Sequence, residues 1–341
     1  MRIGVDLMGG DLAPDPILEG AIAALPSFDA GDRLVLFGAD EVLNRAPAMA
    51  GNAADRLELV PSTTGEVTMD ASPVEAVRSS SGSALVQMAK MAGPKAGDSR
   101  IDMAVSAGNT GAFAAAAQMY MRRLPGVARP GIAAIVPTFA GPVTFIDVGA
   151  NIEPKPHHLY QYGVMGTVYA RRVLGIDTPR VGLMSVGGEE LKGTEDLKNA
   201  RDFLREDPSV EFIGFVEGRA VFDGACDVVV SDGVTGNVII KLAEGLSRGI
   251  FRRIKEKITG LDPVLAQQFS GVVKELYAEY DYHEYGGAPL LGVNGGVLIC
   301  HGSSKAVTIC NAVGAARRFV ELGVNNRIQD LLGQHNEASV G

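Results

Sequence analysis

The apolar residues of this chain gather in short runs that alternate with longer amphipathic stretches, the pattern of strands buried between covering helices. Such runs lie at 2–6, 34–37, 57–60, 101–105, 181–186, 211–216, 227–230 and 297–301. Helices are predicted from near Ile17 and over 73–78, 84–92, 112–121, 194–205, 237–258 and 304–322, with another running to about Leu174. Two further runs, 132–136 and 143–146, are separated by Gly141 and Pro142 and read as a hairpin or as adjacent edge strands. The alternation defines a layered α/β fold. After the helix at 237–258, apolar residues at 261, 264, 265, 269, 272 and 273 keep helical spacing, so a helical hairpin is expected to leave the alternation near 237–280. At 341 residues the chain is read as a single domain over 1–341, or as two sub-lobes around one cleft.

The chemistry is expected at the junctions where strands end. SAGNTG at 106–111 stands between a strand and an alanine-rich helix. Gly108 and Gly111 allow a tight turn and close approach to a ligand, and Asn109 and Thr110 are placed to cap the helix, whose unpaired N–H groups and positive dipole end favour an anion. A well-capped turn that binds nothing has the same sequence. VSDGVTG at 230–236 then repeats VSAGNTG at 105–111 at five of seven positions, again after a strand and before a helix. Two matching turns predict two walls of one phosphate-lined cleft, the second carrying Asp232 and Gly233. Asn237 and Lys241 are four apart, on one face of a helix expected to begin at Asn237, where an amide and an ammonium would hold an anion together.

Three other junctions carry candidates. DVGANIEPKPH at 147–157 packs Asp147, Asn151, Glu153, Lys155 and His157 into eleven residues after a strand, where α/β folds keep their chemistry. In GGEELKG at 187–193, Lys192 either reaches an anion or pairs with Glu189 or Glu190. In HGSS at 301–304, His301 either contacts ligand or stabilises the turn, with Ser303 beside it. The first junction, after Asp6, does not match GxGxxG, and Asp6 and Asp11 would repel a pyrophosphate, which argues against a dinucleotide site there. SSSGS at 79–83 reads as a linker or as a hydroxyl-rich anion loop.

Charge narrows the partners. A formal net charge of −9 with no basic tail argues against a nucleic acid. Arg248, Arg252, Arg253, Lys255 and Lys257 nevertheless make a local positive patch, which either docks an acidic partner or is a solvated face offset by Glu244 and Glu256. Three cysteines without CxxC spacing indicate neither a zinc site nor a disulfide framework, and adjacent His157 and His158 point apart, so no metal is expected. No window approaches 18 uninterrupted apolar residues, and the chain is expected to be cytoplasmic.

Taken together the motifs resemble those of the PlsX family of phosphate acyltransferases. The resemblance runs through DLMGGDLAP (6–14), SAGNTGA (106–112), DVGANIEPKP (147–156), GEELKG (188–193), SDGVTGNVIIKLAEG (231–245), EYGGAPLLG (284–292) and HGSS (301–304), in family order over nearly the whole chain. Leu12 stands where the family usually has His, and Ala220 where it usually has Asp, so neither position supplies a required side chain. The resemblance implies the fold of isocitrate and isopropylmalate dehydrogenases, shared with phosphate acetyltransferases, and a homodimer. It implies transfer of an acyl group from acyl-[acyl carrier protein] to inorganic phosphate, without a cofactor, and delivery of the acyl phosphate to a membrane-bound glycerol-3-phosphate acyltransferase.

Phosphate is already an anion near neutral pH and a thiolate is a fair leaving group, so positioning and charge stabilisation should dominate over a catalytic triad. On that footing Asn109, Thr110 and the N–H groups of 108–111 hold phosphate or the developing oxyanion, with Asn237 and Lys241 opposite and Lys155 and Asn151 next. Asp147 and Asp232 orient the lysines and amides, and His301 protonates the leaving sulfur. The alternatives are a phosphate acetyltransferase acting on acyl-CoA, or a module that binds carrier protein or phosphate without turnover. Residues 261–273, beside the cationic helix, are expected to meet either an anionic membrane surface or the other subunit.

Overall fold

A computed structural model of the chain describes residues 1–68, 70, 72–261, 263–280 and 285–338. The chain forms two compact units, one of Met1–Ala134, Arg171–Ile176 and Tyr285–Gly341, the other of Ile135–Ala170 and Asp177–Glu284. In the first unit β1 (Arg2–Asp6), α1 (Asp15–Ala23), β2 (Arg33–Gly38), the short α2 (Asp40–Leu43) and α3 (Ala46–Ala50), and β3 (Leu57–Pro61) come first. They are followed by α4 (Pro73–Ser79), α5 (Ala84–Met91), β4 (Met103–Ser106), α6 (Thr110–Ala116) and β5 (Gly131–Thr138), which leads into the second unit. There β6 (Gly141–Ile146), α7 (Pro156–Tyr169), β7 (Arg180–Met184), α8 (Glu195–Glu206), β8 (Glu211–Val216), α9 (Gly218–Phe222), β9 (Val228–Val230), α10 (Gly233–Leu261) and α11 (Pro263–Glu279) follow. The chain returns with β10 (Ala288–Leu291), β11 (Gly296–Ile299), α12 (Ala306–Glu321) and α13 (Val324–Ala338).

In the first unit the strand order is β3-β2-β1-β4-β11-β10-β5. β1 to β4 and β11 run parallel, while β10 is antiparallel to both β11 and β5. Ile3, Val5, Leu34, Leu36 and Val105 are fully buried, and α12 covers β1 and β4 with buried Ile309 and Val313. In the second unit the order β6-β9-β7-β8 is wholly parallel, so the loops after these strands emerge at one edge. Its core joins Val136, Val143, Phe145, Val216, Val221 and Val229, with Ile239 and Ile240 of α10 against it. Proline at the first position of α4 and α7 starts each helix with a preset φ and no wasted N–H.

The expected alternation and the helical hairpin of α10 and α11, which pack on each other, are both present. Two boundaries differ in ways that matter. The strand expected at 101–105 is Met103–Ser106, and the helix expected from Asn237 begins four residues earlier, at Gly233. Asp232 causes the earlier start: its carboxylate accepts the Thr235 N–H at 2.8 Å and its carbonyl the Gly236 N–H at 3.0 Å, so the glycines taken as turn residues lie inside the first helical turn.

Phe145 is fully buried at the centre of the second unit's core. Phe145→Ala should lower stability by about 3–5 kcal/mol, read as a fall in the urea midpoint at unchanged slope.

Candidate active site

Each unit places a buried aspartate where one strand ends beside another. Val5 pairs with Val105 and Ile146 with Val230, so the next residues, Asp6 and Ser106 in the first unit and Asp147 and Ser231 in the second, come side by side. Asp6 is 1% exposed and Asp147 0%. The Asp6 carboxylate accepts the Met8 N–H at 3.0 Å and the Ser106 hydroxyl at 2.7 Å, and that hydroxyl accepts the Gly108 N–H at 3.0 Å. The Asp147 carboxylate accepts the N–H groups of Gly149 at 3.1 Å, Ala150 at 3.0 Å and Asn151 at 2.7 Å, and the Asn151 side-chain amide at 3.0 Å. Burial raises the Asp6 pKa above the usual carboxylate range, against the Ser106 hydroxyl and the N–H groups of Met8 and Gly9, which lower it.

The loop that each aspartate gathers lies directly on a glycine of the neighbouring turn. A Cβ on Gly9 would stand 2.7 Å from the Gly108 nitrogen, and one on Gly233 would stand 2.6 Å from the Asn151 carbonyl oxygen. A Cβ on Gly236 would strike the Asp147 carbonyl. Only glycine permits this backbone contact, which in the second unit includes a 2.8 Å hydrogen bond from the Gly233 N–H to the Asn151 carbonyl.

The two turns match in sequence but differ in what they offer a ligand. In the first, the Asn109 carbonyl oxygen of the side chain caps α6 by accepting the Ala112 N–H at 2.9 Å, and its amide donates to the Thr68 carbonyl at 3.1 Å. The N–H groups of Thr110 and Gly111 have no acceptor among the described residues, and Thr110 is exposed. Gly111 also lets α4 close on α6, since its Cβ would stand 2.8 Å from Pro73. In the second turn Gly233 donates to Asn151, and Thr235 and Gly236 donate to Asp232. Its cap is itself a carboxylate, held further by the Thr235 hydroxyl at 2.6 Å. The two turns are therefore not equivalent: in the first the N–H groups of Thr110 and Gly111 are open among the described residues, whereas in the first turn of α10 those of Gly233, Thr235 and Gly236 are taken up within the unit.

The other predicted residues fall as follows. Asn237, half-buried, and Lys241, exposed, sit on the second and third turns of α10, beyond the first turn where the helix dipole acts most strongly. The Asn151 amide turns inward to Asp147. Lys155 precedes α7 and is exposed, its N–H donating to His158 Nδ1 at 3.0 Å. Lys192 is 4.0 Å from Glu189, both largely exposed, which is the ion-paired alternative weighed from the sequence. His301 is exposed beyond β11, and its Nδ1 accepts the Ser303 N–H at 3.2 Å, which leaves the proton of the neutral ring on Nε2. Of the positive patch on α10, Arg248 pairs with Glu244 at 2.6 Å and Arg253 with Glu256 at 2.9 Å.

One group escaped sequence reasoning. Glu66 is a carboxylate in a polar loop, and only the fold brings it half-buried into the field of Asp6. Burial first, and Asp6 second, push its pKa up to about 7.

The whole chain has the fold of the phosphotransacetylases. It matches the EutD phosphotransacetylase from Staphylococcus aureus over 93% of its length and 94% of that chain, with a TM-score of 0.58 at 16% identity. A phosphotransacetylase from Streptococcus pyogenes gives a TM-score of 0.60 at 17% identity, covering 94% of each chain. The sequence narrows this further: the chain belongs to the family described as fatty acid synthesis protein, whose model matches residues 1–327. Among its relatives, a phosphate acyltransferase from Halothermothrix orenii is 39% identical over 99% of this chain and 100% of its own. One from Desulfitobacterium hafniense is 42% identical over 99% of each.

The raised Glu66 pKa carries a stability consequence. Between the unfolded value near 4.5 and the folded value of about 7, the folded state holds a proton that the unfolded state releases, so this group's contribution falls as pH rises through that window. Glu66→Gln should match the parent below pH 4 and exceed it by about 1 kcal/mol at pH 8, after discounting for partial exposure. Urea melts at the two pH values check it; a difference independent of pH would refute it.

Proposed function

We propose that this chain transfers a fatty acyl group from acyl-[acyl carrier protein] to inorganic phosphate, giving an acyl phosphate for phospholipid synthesis. The observation that carries this reading is full-length identity of 39% and 42% to phosphate acyltransferases. The unfilled N–H pair at Thr110 and Gly111 gives it a physical basis, because paired backbone donors at a helix start suit a phosphate or an oxyanion. A phosphate oxygen attacks the thioester carbonyl carbon, the carbonyl becomes an oxyanion, and its collapse breaks the C–S bond.

The roles proposed follow from this step. In the first unit the N–H groups of 108–111 and the Thr110 hydroxyl hold phosphate or the oxyanion, Asn109 fixes their geometry, and His301 Nε2, with Ser303 orienting the ring, protonates the leaving thiolate. In the second unit Lys241 and Asn237 supply charge and a hydrogen bond, with Lys155, Lys192 and Asn151 behind them. Asp147 and Asp232, with Gly233, hold the loops that carry these groups. The acyl carrier protein and phosphate are the substrates in this reading, and a membrane-bound glycerol-3-phosphate acyltransferase takes the product.

A second copy of the chain is the proposed partner for the exposed row Val234, Val238, Leu242, Leu246, Ile250 and Ile254 on α10. These residues are spaced by four, and Gly245 and Gly249 leave open space beside them. Rows at i±4 on two copies interdigitate by ridges-into-grooves packing, the commonest way that helices meet. Peripheral membrane contact is proposed for α11, where Val264 and Val272 are exposed in one copy. Leu261 and Leu265 side chains, Asp262 and Tyr282 lie outside the described residues. No helix among the described residues is long and apolar enough to cross a membrane.

Release of free thiol from acylated carrier should depend on added phosphate, and acyl-CoA should be a poorer substrate. Phosphate-independent release, or binding without release, would overturn the reading. Lys241→Ala should lower turnover roughly 100-fold at unchanged stability, and near-normal turnover at saturating phosphate would remove Lys241 from the site. Leu242→Asp with Leu246→Asp should convert a dimer to a folded monomer in sedimentation; an unchanged dimer would place the subunit contact elsewhere.

A further inference from the structure

The hairpin of the second unit contains a groove that the proposed chemistry does not use. It has a volume of about 720 Å³, within the ~300–1,000 Å³ usual for small-molecule sites. Its floor is apolar, with Phe251 and Ile258 from α10 and Phe269 and Val273 from α11. Its rim is cationic, with Arg248, Arg252, Lys255 and Lys274. On α10 these residues recur at intervals of three and four, so they form one face of the helix.

The charge on this rim runs against the rest of the chain, whose formal net charge is −9. Arg248 is tied to Glu244, but among the described residues no carboxylate pairs with Arg252, Lys255 or Lys274. Three unneutralised cations around an apolar floor suit a ligand that is anionic at one end and a hydrocarbon chain along its length. An acidic protein surface would satisfy the rim and leave the aromatic floor in water. A neutral lipid would fill the floor and leave the rim unpaired.

We propose that this groove binds one single-chain alkyl or acyl phosphate, its chain on Phe251, Ile258, Phe269 and Val273 and its phosphate on Arg252, Lys255 and Lys274. The identity of the ligand rests on the reaction proposed above, whose product is an acyl phosphate. The groove begins at Arg248, seven residues beyond Lys241 on α10, and serves as a holding site for that product's class. Binding does not require turnover, so the two proposals fail separately.

The chain has no Trp, so Phe251→Trp places a single reporter on the groove floor. Hexadecyl phosphate, which cannot transfer an acyl group, is titrated below its micelle concentration into the full chain, with hexadecanol and inorganic phosphate as controls. A saturable blue shift is expected, at least tenfold weaker for hexadecanol and absent for phosphate alone. Arg252→Ala with Lys255→Ala should weaken it by about tenfold and leave phosphate-dependent thiol release unchanged at saturating carrier. Phe269→Trp, on the other helix, repeats the measurement if the first variant does not fold. Equal binding of hexadecanol overturns the proposal. So does a shift seen only with anionic vesicles, which would make the groove a bilayer contact. A shift that tracks protein concentration without ligand would make it a subunit interface, and a raised KM for acylated carrier without loss of hexadecyl phosphate binding would make the rim a carrier dock. Thiol release with no ligand shift defeats this inference alone; ligand shift without thiol release defeats the proposed reaction alone.

Discussion

A carboxylate without access to water must find donors, and in this chain that requirement shapes both units. Asp6 and Asp147 stand at the carboxyl ends of β1 and β6, where the sheet stops and the backbone turns. Each collects N–H groups that would otherwise be stranded by the turn, and each thereby fixes the path of the loop that follows. Loss of either acceptor would leave several part-buried donors without their partner at once. The turns that carry the candidate chemistry rest against these loops, so their geometry is inherited from the aspartates rather than set by the turns themselves.

That dependence explains what the sequence disclosed and what it concealed. Strand runs and the hairpin were legible because burial imposes a period that the chain must obey. The repeat of VSAGNTG in VSDGVTG was legible as well, and it marks equivalent positions in the two units. Hidden was the effect of the two differences, Ala107 against Asp232 and the capping Asn109 against Val234. The carboxylate side chain in the second copy moves the cap two positions earlier in the motif and draws the glycines into the helix. For that reason Asn237 and Lys241, which the sequence pattern puts at a helix start, lie one and two turns inside α10. Glu66 left no local signal, because its perturbation comes first from burial and then from Asp6, sixty residues away in the chain, and both arise only on folding.

The hairpin follows a different logic from the sheets. Ile239 and Ile240 anchor the start of α10 to the second unit's core, while every fourth residue from Val234 to Ile254 faces outward. A helix apolar on two sides is held by its own domain on one and has surface to bury on the other. Acidic residues balance part of its cationic face, and among the described residues none pairs with Arg252, Lys255 or Lys274.

The contact of Gly233 and Gly236 with the Asp147 loop bears on how such chains diverge. Because these glycines are demanded by backbone contact, a descendant that lost its catalysis but still folded would keep them, along with the two aspartates. Thr110 and Lys241, which we propose hold the substrate and which are exposed without a structural partner among the described residues, would be the first to drift. A pseudoenzyme of this lineage would thus be recognised by an intact glycine signature around an eroded threonine and lysine.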